Sequence, residues 1–271
     1  MVHTRVYNAH TSEESPLIIG LPGFVHREET TRIDQFLTKI ANYGIHGARI
    51  TYSQIEVKDN GKTISCAFKL ENYAQDLQNA IEALPKQLNI DKRRIGLIAS
   101  SIGALIFAYY QNQKKQDSPT PCCIISLSPF LGWPYLANKQ KKEEVGANSQ
   151  DILIPNPFDH LNGVRRFIPK EYFSHVINTD GLMFLGTYKQ DSVPALTILG
   201  KKDEISSPEA MRNYHRILSS SLEDLLEYDT GHDVPALLWE KEALEFLTKT
   251  LKKTYQTFQE LQAFLEETER Q

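Results

Sequence analysis

Short apolar runs alternate with amphipathic segments along most of the chain, and this alternation limits the fold more than any other feature. PLIIGL (16–21), GARITYS (47–53), RIGLIAS (94–100), CCIISLSP (122–129) and VPALTILG (193–200) read as strands. LEDLLEYD (222–229) reads as a further strand from its position. Between them, Ile33, Phe36, Leu37 and Ile40 recur at helical spacing before a stop at Gly44. Tyr73, Leu77, Ala80, Ile81 and Leu84 make one face of a second helix, expected to close at Pro85. ALIFAYYQNQ (104–113), 208–220 and 236–268 also read as helices, and 54–68 as a polar loop. Alternating strands and helices imply a mainly parallel sheet covered on both faces, an α/β fold. Such sheets place their chemistry at the carboxyl ends of the strands, just after each apolar run.

Residues 130–190 break the rhythm, being rich in Pro, Asn, Gly and aromatic residues. A structureless stretch this long is uncommon within a compact domain. The expected organisation is therefore a core of residues 1–129 and 191–250, an inserted cap or lid over 130–190, and a helical extension over 251–271. Trp133 and Tyr135 are the expected ligand contacts, in an apolar pocket lined by the aromatics of the insertion.

The formal net charge of −4 over 271 residues leaves no electrostatic footprint for nucleic acid or an anionic membrane. No apolar run reaches the roughly 20 residues a membrane helix needs. The stretch MVHTRVYNAHTSEESP has no apolar signal region, and the three cysteines (Cys66, Cys122, Cys123) form no disulfide framework. A cytoplasmic location is the expectation. No CxxC or HExxH pair offers a metal site, and no cofactor is expected.

Two adjacent serines, Ser100 and Ser101, lie between the apolar strand IGLIA and an apolar helix. They either cap that helix or one of them is a nucleophile on a sharp strand–turn–helix elbow. An elbow needs small residues two before and two after the nucleophile. Around Ser101 these are Ala99 and Gly103; around Ser100 they are Ile98 and Ile102, both bulky. Spacing selects Ser101. A serine hydroxyl needs a base, and the base needs a carboxylate to orient it. Asp203 follows the strand VPALTILG, and His232 follows the segment ending LLEYD, which is the order Ser, acid, His expected on such a fold. Glu204 and Asp233 are the alternative acids. Acyl transfer also needs oxyanion donors; the expected ones are the amides of Ile102 and of Phe24, the latter in the loop GLPGF after the early strand.

LIIGLPGF, RIGLIASSIGALIFAYY, VPALTILGKKDE and DTGHDVP resemble the α/β-hydrolase superfamily across most of residues 16–250. The arrangement is similar to small esterases of the cinnamoyl/feruloyl esterase and serine aminopeptidase-like group. That family often has His-Gly in the oxyanion loop, where this chain has Pro22-Gly23, and Ala99 stands where Gly is usual. The resemblance implies an ester or related acyl hydrolase, and the expected function is a serine hydrolase cleaving a small carboxylic ester. The alternatives are a thioesterase or peptidase using the same residues, and a non-catalytic binding protein of the same fold. A serine at the elbow argues against the Asp nucleophile of dehalogenases and epoxide hydrolases. Leu244, Leu247, Leu251, Phe258, Leu261 and Leu265 give the C-terminal segment an apolar stripe. It is expected to pack on its own domain, with a homodimer through this helix as the alternative.

Overall fold

The computed structural model describes residues 3–8, 15–23, 32–52, 55–59, 62–66, 70–114, 118–137, 153–155, 167–169, 179–186, 188 and 193–251. Seven strands form one sheet: β1 (His3–Tyr7), β2 (Leu17–Leu21), β3 (His46–Thr51), β6 (Ile95–Ser100), β7 (Cys123–Leu127), β10 (Ala195–Gly200) and β11 (Leu225–Tyr228). Their order is β1-β3-β2-β6-β7-β10-β11. All neighbours pair in parallel except β1, which runs antiparallel to β3 at one edge.

The central strands are apolar throughout because both their faces are covered. In β2, Leu17, Ile19 and Leu21 join the apolar cluster on one side of the sheet, and Ile18 joins the cluster on the other. The first side is covered by α2 (Leu70–Leu88), α3 (Ile102–Gln113) and the helix Pro208–Leu218. The second is covered by α1 (Arg32–Ala41) and the helix over 236–251. Phe36 of α1 packs on Trp239 with ring centroids 5.2 Å apart. Leu247 and Leu251 are buried, so the described part of the C-terminal helix packs on its own sheet. The homodimer expectation attaches largely to residues 252–271, which lie outside the described residues.

Three elements differ from the sequence expectation. Residues 54–68 contain an antiparallel hairpin, β4 (Ile55–Asp59) with β5 (Lys62–Cys66), rather than a plain loop. The pairing of Asp59 with Lys62 leaves Asn60-Gly61 between the strands, a dipeptide suited to a two-residue hairpin turn. Ile55 and Val57, and Ile64 and Cys66, do alternate with polar residues, but over only a few positions in each strand. Second, α2 continues through Pro85 and ends at Leu88, just before Asn89, whose φ is 54°. Proline removes one bond to the preceding turn, but Pro85 and Leu84 are both buried in the helix–sheet interface. Third, β1 lies in a polar N-terminal segment that carried no strand signal. It is held at the edge by Tyr7, which donates to the buried Asp34 of α1, while Arg49 of β3 lies 3.1 Å from the same carboxylate.

Within 130–190, the described residues include β8 (Leu153–Pro155) and β9 (Phe167–Pro169), paired antiparallel. At the two ends of the segment, Phe130, Leu131, Trp133, Leu136 and Leu185 belong to the main apolar cluster. The rest of the expected cap lies outside the described residues. Among those described, no helix is long and apolar enough to cross a membrane.

Candidate active site

The sheet's parallel core brings the ends of β6, β7 and β10 side by side, and the candidate residues sit just beyond them. Ser101 follows β6 and opens α3. Its φ of 50° and ψ of −116° lie where L-residues rarely sit. The surroundings fix this conformation: Ser101 N–H donates to Leu127 C=O (2.9 Å), and Phe130 N–H donates to Ser101 C=O (3.0 Å). The small flanking residues have a steric reason. A Cβ on Gly103 would stand 2.5 Å from Leu21 O, and Ala99, paired with Leu21, is fully buried. Ser101 occupies the N-cap position of α3 but makes no side-chain capping bond. Its hydroxyl lies instead 3.0 Å from His232 Nε2.

On the other side of that ring, His232 Nδ1 is 2.7 Å from Asp203 Oδ2. The Asp203 side chain is fully buried and the His232 side chain 15% exposed. The second carboxylate oxygen of Asp203 accepts from the backbone N–H of Ile205 (2.8 Å) and Ser206 (2.9 Å). A carboxylate accepts only, so Nδ1 carries the proton facing Asp203, and Nε2 presents a lone pair to the serine hydroxyl. The arrangement can therefore take a proton from Ser101 and keep the resulting imidazolium beside a carboxylate. Both alternative acids point elsewhere. Glu204 is exposed, and Asp233 is ion-paired with Arg32.

Backbone packing places the histidine loop. A Cβ on Gly200, at the end of β10, would stand 2.1 Å from Gly231 O, so this position lets the loop cross close to the strand. Ser128, just past β7, donates from Oγ to His232 C=O at 2.5 Å. Its φ of 43° is again in the left-handed region, and its N–H donates to Ile198 C=O at 2.8 Å. Arg32 Nη1 donates to Val234 C=O at 2.7 Å. Neither Ser128 nor Arg32 stood out in the sequence. Ser128 does lie directly after an apolar run, which is the only signal that pointed to it; its partner is 104 residues away.

Of the expected oxyanion donors, Ile102 is the first residue of α3, so its N–H has no partner within the helix. Phe24 lies outside the described residues. The expected substrate contacts sit further into the fold. Trp133 is 2% exposed within the main apolar cluster. Tyr135 is partly buried and donates to Asp180 at 2.8 Å; burial and that carboxylate push its phenol up to about 12. Its C=O accepts from Ser207 N–H (2.8 Å), and Ala137 N–H donates to Ile205 C=O (3.0 Å), so this segment braces the loop that carries Asp203.

Known proteins share this architecture. Est1E from Butyrivibrio proteoclasticus, solved with ferulic acid bound, superposes with a TM-score of 0.67 at 16% identity, covering 93% of this chain and 96% of that one. The alpha/beta hydrolase GrgF from Penicillium sp. sh18 gives 0.67 at 13% identity, covering 93% and 94%. DcsB, solved in complex with its substrate analogue, gives 0.69 at 14% identity, covering 92% and 94%. At such identities the likeness shows the fold, which is that of the α/β hydrolases. Among curated proteins, none matches the sequence. A family model described as "Serine hydrolase (FSH1)" matches residues 48–244.

Proposed function

The chain belongs to the FSH1 serine hydrolase family, and we propose that it cleaves a small carboxylic ester through an acyl-enzyme formed on Ser101. In this reading Ser101 Oγ attacks the acyl carbonyl while His232 Nε2 takes its proton. Asp203 holds the imidazole in the tautomer that leaves Nε2 free and stabilises the imidazolium. The amides of Ile102 and Phe24 stabilise the oxyanion. The tetrahedral intermediate collapses, His232 passes its proton to the leaving alkoxide, and an alcohol departs. Water, deprotonated by the same histidine, then releases the carboxylic acid and restores the serine.

The observation that carries this reading is the 3.0 Å contact between Ser101 Oγ and His232 Nε2, on a serine that its own helix does not use as a cap. Trp133 and Tyr135 keep their place in the proposal as contacts of the acyl group, Tyr135 through its partly exposed ring. The test is hydrolysis of short and medium p-nitrophenyl esters by wild type and by Ser101→Ala, with fluorophosphonate labelling in parallel. Hydrolysis and labelling by the wild type, both lost in the variant, are the expected result. A wild type that neither hydrolyses the esters nor labels at Ser101 overturns the reading in favour of a binding protein of the same fold.

A further inference from the structure

The loop that leaves β2 begins Pro22-Gly23, a weak start for a loop that must hold a fixed shape. Proline has no N–H to anchor it, and glycine has no steric preference to restrict it. A hold has to come from outside. Tyr52, just past β3, supplies one: its hydroxyl donates to Pro22 C=O at 3.0 Å. The Tyr52 ring is itself stacked on Tyr73 of α2, with centroids 4.5 Å apart and planes inclined by 25°. Tyr73 is 2% exposed, so the ring rests on the packed core. Burial, with Tyr73 and Asp76 nearby, pushes the Tyr52 phenol well above its ordinary value, which keeps it a donor.

The sheet order decides what this bond does. β2 lies between β3 and β6. Tyr52 approaches Pro22 C=O from the end of β3. In a trans peptide the carbonyl and the following N–H point in opposite directions, and the structure contains no cis bond among its described residues. Gly23 N–H therefore points away from the Tyr52 hydroxyl that Pro22 C=O meets, and Ser101 stands on the other side of β2 from β3, at the end of β6. The two strand ends are in close contact, since Leu21 O is the atom a Cβ on Gly103 would strike.

We propose that Tyr52 is a positioning residue for acyl transfer, holding the Pro22–Gly23 peptide, which directly precedes Phe24, with its N–H side facing Ser101. The inference rests on the ester-hydrolase reading of Ser101. It identifies a support for the Pro22–Gly23 peptide that comes from just past a different strand.

The experiment compares wild type with Tyr52→Phe, which keeps the stacked ring and removes the donor. The substrates are a p-nitrophenyl ester and the matching thionoester, whose sulfur accepts hydrogen bonds poorly. Rates are taken per active site titrated with fluorophosphonate, so a lower folded fraction does not enter. The expected result is a kcat about tenfold lower on the oxygen ester with KM within about twofold, less than the roughly 10²-fold that losing an oxyanion donor outright costs. The loss on the thionoester is expected to be clearly smaller. Tyr52→Leu removes the ring as well; its folding midpoint falls, but its ratio of oxygen-ester to thionoester rate matches that of Tyr52→Phe. A wild-type kcat in Tyr52→Phe, an equal loss on both substrates, or a change confined to KM overturns the inference while leaving Ser101 as nucleophile. A wild type with no activity and no label overturns the function reading itself, and the inference with it.

Discussion

His215 and His232 each have both ring nitrogens engaged, and they do opposite things with them. His215, on the helix Pro208–Leu218, is fully buried, with Nδ1 3.0 Å from Thr197 Oγ1 and Nε2 2.8 Å from Ser221 C=O. A carbonyl accepts only, so the His215 proton sits on Nε2, and Nδ1 takes the threonine proton. At His232 the group that accepts only is the Asp203 carboxylate, and it faces the other nitrogen. The two rings are therefore opposite tautomers. His215 is closed off between two fixed partners and joins a helix to the sheet. His232 turns its lone pair to a hydroxyl on a strained turn and keeps an exposed edge. The difference lies in which nitrogen meets the acceptor, and in whether solvent and substrate can reach the other.

The largest expected effect concerns the His232 ring. His232→Ala should lower kcat/KM for a p-nitrophenyl ester by at least about 10³-fold, since members of such a constellation act as a unit. Its folding midpoint in a thermal melt should stay close to that of the wild type. Asp203→Asn should cost nearly as much, about 10³- to 10⁴-fold in kcat. The amide can still accept from the Ile205 and Ser206 amides, but it then offers N–H to Nδ1 and drives His232 into the tautomer that His215 already has. Wild-type activity in Asp203→Asn would erase the contrast between the rings.

The reverse pattern is expected for the structural ring. His215→Ala should destabilise the fold by about 3 kcal/mol, from the cavity and from the stranded Thr197 hydroxyl. Its kcat per titrated site should change by less than about threefold, a far smaller loss than removing a general base causes. Urea unfolding and active-site titration measure the two quantities separately. Ser128→Ala should fall between the two, with kcat lower by about tenfold as the His232 loop loses its 2.5 Å support. The smallest effect is expected from Arg32→Ala. The Asp233 partner is 61% exposed, so the ion pair contributes under about 1 kcal/mol, and ester hydrolysis should stay within about twofold. A larger loss of kcat would show that the Arg32 bond to Val234 C=O, and not the surface ion pair, matters to the histidine loop.

Much of the fold could be read in advance because strands buried on both faces must be apolar along their whole length. LIIGL and ALTILG carried that signal, and both are strands. The hairpin Ile55–Asp59 with Lys62–Cys66 did not. Its apolar residues alternate with polar ones over only a few positions in each strand, although Asn60-Gly61 marked a turn. The antiparallel edge strand His3–Tyr7 was also missed, since an edge strand half open to solvent needs no apolar run. Helix α2 passed through Pro85 because burial against the sheet outweighed the loss of one hydrogen bond.

At the candidate site, residue types and order along the chain were enough to select Ser101 over Ser100, because the elbow admits only small neighbours at fixed offsets. They also placed Asp203 and His232 after strands in the expected order. They ranked Asp203 ahead of Glu204 and Asp233 by its place after a strand, but carried no sign of which carboxylate meets the histidine ring. Tertiary structure shows that contact: it sets Asp203 against His232 Nδ1, buries it on two backbone amides and turns Asp233 outward to Arg32. It alone brought in Ser128, whose partner is 104 residues away, and Tyr52, 30 residues from Pro22. A local pattern records what a residue's own strand or helix requires of it. A bond from a side chain to a distant carbonyl leaves no such pattern, because any residue can supply the carbonyl.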